Sequence, residues 1–141
     1  MSGHIELTKE DFAIFKDLPR DEPIQLLHLV KLREKAAYPD GRQASGLEAY
    51  RAYGRESGPV LRRLGVRQVW IGKPMLTLIG PRSEQWDIAF IVEYPSGAAF
   101  IELLRDPVYR DVVKHRQAAV EDSRLIRMKP SKAGAAFGEV G

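Results

Sequence analysis

WDIAFIVEYPSGAAFIELLRDPVYRDVVKHRQAAVEDSRLIRM, residues 86–128, is the stretch whose reading decides the fold. Its start alternates as a strand does, with Trp86, Ile88, Phe90, Val92 and Tyr94 on one face and Asp87, Ala89, Ile91 and Glu93 on the other. Ser96 caps a short helix, GAAFIELLR. Asp106-Pro107 then starts a second one, because Asp106 accepts from the free N–H groups of the first turn and proline is tolerated at the first helical position. At about 100° per residue, Val108, Tyr109, Val112, Val113, Ala119 and Val120 share a face, opposite Arg110, Lys114 and Glu121. SRLIRMK closes the stretch as a strand.

Working outward from this unit, IQLLHLVKLRE is a strand with apolar residues on both faces, which predicts a central position covered twice. Ser45 and Glu48 form a capping box that opens a helix with the stripe Leu47, Tyr50, Gly54, Ser57, Leu61 and Leu64. Gly58-Pro59 is expected to kink it. The stripe is small in its middle, a hollow that suits either close packing on the sheet or a ligand. VRQVWIGK begins the next strand, and MLTLIG is expected to resume it after Pro74. Before the first strand, Thr8 caps a short helix, TKEDFAIFKDL, that reads as a lid or strap behind a loose end at residues 1–7.

The chain thus divides into an N-terminal extension (1–22), a folded domain (23–130) and a flexible, Gly- and Ala-rich tail (131–141). The order strand, helix, strand, strand, helix, strand is the α+β ferredoxin-like βαββαβ arrangement, here with an antiparallel four-stranded sheet, an extra N-terminal helix and a split second helix. Its helices cover one sheet face. Because the first and third strands are apolar on both faces, the open side calls for a second copy, giving a homodimer with sheets face to face.

Composition narrows the function classes. Lys and Arg number 22 against 19 Asp and Glu, a net +3 spread along the chain, which gives no argument for nucleic acid. No cysteine is present, excluding disulfides, thiolate nucleophiles and cysteine-built zinc sites. No window approaches the roughly 20 apolar residues that span a bilayer, so no membrane is expected, and the N-terminus lacks a basic start followed by an apolar run. A cytoplasmic protein is the expectation. G-x-G-x-x-G, P-loop, H-E-x-x-H and G-x-S-x-G motifs are absent, and three scattered histidines make no metal site, so neither cofactor nor metal is expected.

HLVKLRE in the first strand, Tyr50-Arg51-Ala52-Tyr53-Gly54, LGVRQVWIG, Trp86-Asp87, Glu93-Tyr94-Pro95-Ser96, and Asp106-Pro107-Val108-Tyr109 followed by His115-Arg116 resemble the bacterial DUF1330 family. The likeness runs from about Pro23 to Met128. It implies a dimeric α+β barrel and no established activity. The wider superfamily holds cofactor-independent monooxygenases, small isomerases and lyases, and haem proteins, so analogy of fold says little about reaction.

Two residues carry the candidate chemistry. Arg116 falls on the apolar face of its helix and requires acceptors there. One reading is an ion pair with Asp87 or Glu93 that holds helix to sheet; the other is an anchor for an anionic ligand. His28 lies mid-strand among leucines, either as a core histidine or as a general base. Tyr50, Tyr53, Trp70, Trp86 and Tyr94 are the expected walls of an aromatic pocket around it. His115 as a haem ligand rests on superfamily analogy alone, and His4 reads as solvated. Three functions remain open: a small-molecule-binding dimer, a cofactor-independent oxygenase, isomerase or lyase acting on a small anionic or aromatic substrate, and a structural dimerisation module.

Overall fold

A computed structural model describes residues 3–139. The elements run α1 (Lys9–Asp17), β1 (Ile24–Leu32), α2 (Gly46–Arg63), β2 (Arg67–Gly72), β3 (Ile88–Tyr94), α3 (Gly97–Arg105), α4 (Pro107–Ala119) and β4 (Val120–Met128). The strands form one sheet in the order β2-β3-β1-β4, with every pairing antiparallel. This is the expected α+β, ferredoxin-like architecture.

Local chemistry sets the helix starts. Thr8 Oγ1 accepts from Asp11 N at the head of α1. Ser45 and Glu48 complete their reciprocal capping box on α2, which continues through Pro59. At the α3–α4 break, Asp106 accepts from the N–H groups of Val108 and Tyr109 with Pro107 in the first turn. Gly46 lets α2 begin against β1, since a Cβ there would fall 1.9 Å from Arg33 O.

Register decides what each strand face meets. Ile24, Leu26, His28 and Val30 of β1 stand beside Tyr94, Val92, Phe90 and Ile88 of β3, and these even-numbered residues face the helices. The cores there join Leu26 and Tyr94 to Val60, Phe100, Leu103 and Tyr109, and Val30 to Tyr38, Ala49 and Ala118. The odd-numbered residues of β1 and β3, Leu27 and Leu29 with Ile91 and Ala89, form the open face together with Ile126 of β4, which pairs with Leu27 and is 47% exposed.

Three expectations are corrected. MLTLIG is no strand: β2 ends at Gly72, and residues 73–87 form a loop with Met75, Leu76, Leu78 and Ile79 exposed. The buried stripe of α2 is rotated from the expected one, running through Gly46, Ala49, Ser57 and Val60 with Tyr53 half-buried. Leu47 and Gly54 face outward, and a Cβ on Gly54 would meet nothing within 4 Å, so the hollow on α2 does not exist. The expected loose end at 1–7 is a docked strap over its described part: His4 N donates to Asp122 (2.9 Å), and Ser123 Oγ donates to His4 O (2.6 Å). Met1 and Ser2 lie outside the described residues, as do Val140 and Gly141 of the tail.

Candidate functional site

The helix-facing side of the sheet does not close completely. Between β1, α3, α4 and the N-terminal strap and helix lies a partly open cavity of about 730 Å³. Its inner wall includes Leu26, His28, Tyr53, Tyr94, Tyr109 and Arg116, and Phe15 and Ile14 of α1 roof it. A second depression, about 510 Å³ beside Arg63, Pro95, Glu102 and Arg105, lies on the charged surface and gathers none of these groups.

The roof is fastened at both ends. On one side sit the His4 bonds and the Gln117 side chain, which donates to Glu6 (2.7 Å). On the other, Arg127 donates to Pro19 O (2.6 Å) and Ala98 N to Arg20 O (3.0 Å). Between them, Phe15 packs on Phe100 with ring centroids 4.9 Å apart. The N-terminal helix is therefore a lid in geometry, held by polar fasteners over an apolar contact.

Arg116 makes neither expected ion pair. Its guanidinium donates to Ile5 O of the strap and to Ser123 Oγ (3.2 Å). Parity explains the correction: Glu93 is odd-numbered in β3 and faces the open side, where it accepts from Gln25 (3.1 Å) and pairs with Arg67 (2.6 Å). Asp87 instead accepts from Leu32 N at the end of β1 (2.7 Å). Among the described residues, no carboxylate lies within ion-pair distance of Arg116, so a half-buried cation has only neutral acceptors.

His28 stacks on Phe90, its neighbour in register, with centroids 4.3 Å apart and planes 14° from parallel. Its Nε2 is shut from water with no hydrogen-bond partner among the described residues. Burial, reinforced by the Arg116 charge, pushes its pKa down to about 3, so the imidazole is neutral at physiological pH. A base that weak is poorly matched to proton abstraction near neutrality. Opposite it, the Tyr53 and Tyr109 hydroxyls bond each other at 2.7 Å, and burial raises the pKa of both.

Of the expected aromatic walls, Tyr53 and Tyr94 line the cavity. Tyr50 stands behind Tyr53, with ring centroids 5.6 Å apart. Trp70 and Trp86 are not part of it. A bulge between Gln68 and Trp70 puts Trp70 beside Ile91 on the open face, where it is 50% exposed; unbulged pairing would have aimed it at the helices. Trp86 precedes β3 and lies under the Arg124 guanidinium, 5.1 Å from its ring centroid. Tyr109 and Phe100 also line the cavity and are not among the expected walls, although the place of Tyr109 on the apolar face of α4 is a signal that could have found it.

His115 is not in the cavity. It is buried, with Nδ1 2.6 Å from Tyr38 Oη and Nε2 3.0 Å from Glu56, and so ties α4 to α2 and to the loop after β1. No group of His, Cys, Asp and Glu able to hold a metal occurs among the described residues. Among the described residues, no helix is long and apolar enough to cross a membrane.

Residues 43–128 match the model of a family described as a domain of unknown function, DUF1330. The RPA0582 protein of Rhodopseudomonas palustris, described as of unknown function, is 62% identical over 93% of this chain and 99% of its own, with a TM-score of 0.88. A crystal structure of methylated RPA0582 gives 64% identity over 96% and 100%, with a TM-score of 0.92. A dimeric ferredoxin-like protein of unknown function from Bacteroides fragilis shares the fold at 15% identity over 76% and 95%, TM-score 0.50. A putative antibiotic biosynthesis monooxygenase from Bacteroides thetaiotaomicron does so at 19% over 82% and 96%, TM-score 0.52. Among curated proteins, none matches.

Proposed function

This chain belongs to the DUF1330 family, and from that premise we propose a homodimeric protein that binds a small molecule in the cavity between sheet and lid. One observation carries the reading: Arg116, with no carboxylate within ion-pair distance among the described residues, lines the same cavity as His28, whose Nε2 has no partner among the described residues. A half-buried cation with only neutral acceptors and an orphaned imidazole nitrogen are costly unless something completes them. A small ligand with an acidic or strongly accepting end and an apolar body does so, its polar end on Arg116 and its body among Phe15, Phe100 and Leu26. His28 then serves as a hydrogen-bond partner and not as a proton acceptor.

The enzymatic reading, a cofactor-independent oxygenase, isomerase or lyase with His28 as base, is supported only by fold likeness to a protein named a monooxygenase and is opposed by the depressed pKa of His28. The homodimer is supported by the apolar open face and by the dimeric neighbour of the same fold. A structural dimerisation module would need no open cavity. Thermal shift against a panel of small carboxylates and phenols tests the binder. A rise in melting temperature that Leu104→Trp, on the cavity wall, abolishes is the expected result. A panel without effect on the wild type, or the same rise in both proteins, contradicts the cavity as the site.

A further inference from the structure

β2 and β3 are adjacent antiparallel strands, paired from Arg67 with Glu93 to Gly72 with Ala89. A hairpin of this kind closes with a connection of two to about five residues. Here the connection is the whole stretch 73–87, far longer than closure demands. Long loops inside small domains are generally functional.

This loop is not a slack linker. Thr77 Oγ1 donates to Glu84 O (2.6 Å), Gln85 Nε2 to Arg82 O (3.2 Å), and Glu84 N to Pro81 O (3.0 Å), which fixes its shape. On that ordered frame Met75, Leu76, Leu78 and Ile79 are 93, 67, 86 and 97% exposed. Four large apolar side chains in five positions, held out of the chain's own core by local hydrogen bonds, form a docking element. Solvation of such a run has no stabilising role within one subunit.

The occupant is identified by continuity. The loop leaves the end of β2 immediately after Trp70 and Ile71, and Trp70 belongs to the open sheet face assigned above to a second copy. On that face the charges are already neutralised within the chain, Arg67 by Glu93, Lys31 by Glu121 and Arg124 by Asp122 and Glu84. A partner of opposite charge is therefore not called for, and an apolar, self-complementary surface is. Stable interfaces bury roughly 800 Å² per partner, and the exposed side chains of the loop add apolar surface to that of the open face. Under two-fold symmetry a loop packed on the other copy is matched by its equivalent, so each subunit both gives and receives one.

We propose that residues 74–80 are an embracing arm that packs on a second copy of this chain and locks the dimer. The inference rests on the open-face dimer and adds an element to it. The experiment is light scattering at micromolar concentration, with circular dichroism as the check of folding. The variants are Leu78→Asp with Ile79→Asp, and separately Ile126→Asp on the open face. Both arm side chains lie outside the subunit's own packing, so the arm variant retains the wild-type spectrum and melting cooperativity. Association at least about 100-fold weaker is expected for it. A dimeric wild type whose arm variant stays equally dimeric overturns the arm, while loss of the dimer in Ile126→Asp leaves the open-face interface standing. A monomeric wild type overturns both.

Because the chain has no cysteine, Ile79→Cys supplies a second readout. Its thiol is expected to react with a disulfide reagent at least ~10-fold more slowly in the dimer than after dilution to monomer, by occlusion of a side chain otherwise open to water. Equal reactivity in both states overturns the arm independently of mass.

Discussion

Arg116 of α4 and Ser123 of β4 share one hydrogen-bond relay into the N-terminal strap: the guanidinium donates to Ser123 Oγ at 3.2 Å and to Ile5 O, and Ser123 Oγ donates to His4 O at 2.6 Å. The cation of the cavity is thereby also the fastener of its lid. A ligand that takes Arg116 competes with the strap for the same donors.

Replacing Arg116 with Met tests this coupling. Hydrogen exchange over residues 3–8 should accelerate by at least about tenfold, with a global stability loss of ~1–3 kcal/mol from the lost charge-assisted bonds. Ser123→Ala should loosen the same segment to a smaller degree. Unchanged exchange in both variants would separate the strap from Arg116.

His28 predicts an acid-side loss of stability. Its pKa is near 6.5 when unfolded and about 3 when folded, so between those values the unfolded chain holds more protons. Its stability contribution is complete above about pH 6.5, falls as the pH drops through that window and levels off near pH 3. The depression corresponds to an order of a few kcal/mol. Urea unfolding from pH 7 to pH 4 should show a markedly flatter slope in His28→Leu than in the wild type, and parallel slopes would refute the neutral imidazole.

The Tyr53–Tyr109 hydroxyl pair, 2.7 Å apart in the cavity wall, is open to a double-mutant cycle. Each single Phe variant should lose ~0.5–1.5 kcal/mol, because it strips a partner from a buried hydroxyl. The double variant should lose less than the sum. Strict additivity would show that the two hydroxyls do not act as a pair.

Tyr38 anchors the loop after β1 through His115 at 2.6 Å. Tyr38→Phe should speed exchange across residues 36–44 and cost about 1 kcal/mol, leaving cavity ligands unaffected, since Tyr38 and His115 lie outside it. A change in ligand affinity would place that loop in the site.

What was legible in the sequence follows interaction range. The Ser45–Glu48 box and the Asp106-Pro107 restart are local, a few residues long, and read directly as helix starts. The two-faced apolarity of β1 and β3 gave the central strands, because sheet position is written in alternation. Arg116 was legible as an anomaly, but its acceptor on the strap lies 111 residues away and no pattern joins them. Trp70 was misplaced because one bulge inverts the parity of everything after it, and a bulge leaves no mark in alternation. MLTLIG reads as strand because it is a short, nearly continuous apolar run; pairing requires a neighbour, and among the described residues the chain supplies none.

The cavity beneath the lid is the proposed ligand site. Crystallographic screening of small carboxylates and phenols puts that to the most direct test. The predicted result is ligand density between Arg116, His28 Nε2 and the Tyr53–Tyr109 pair, with the Ile5 carbonyl displaced from Arg116 wherever a carboxylate is bound. A cavity that stays closed by its own side chains, with fragments bound only elsewhere, would contradict it.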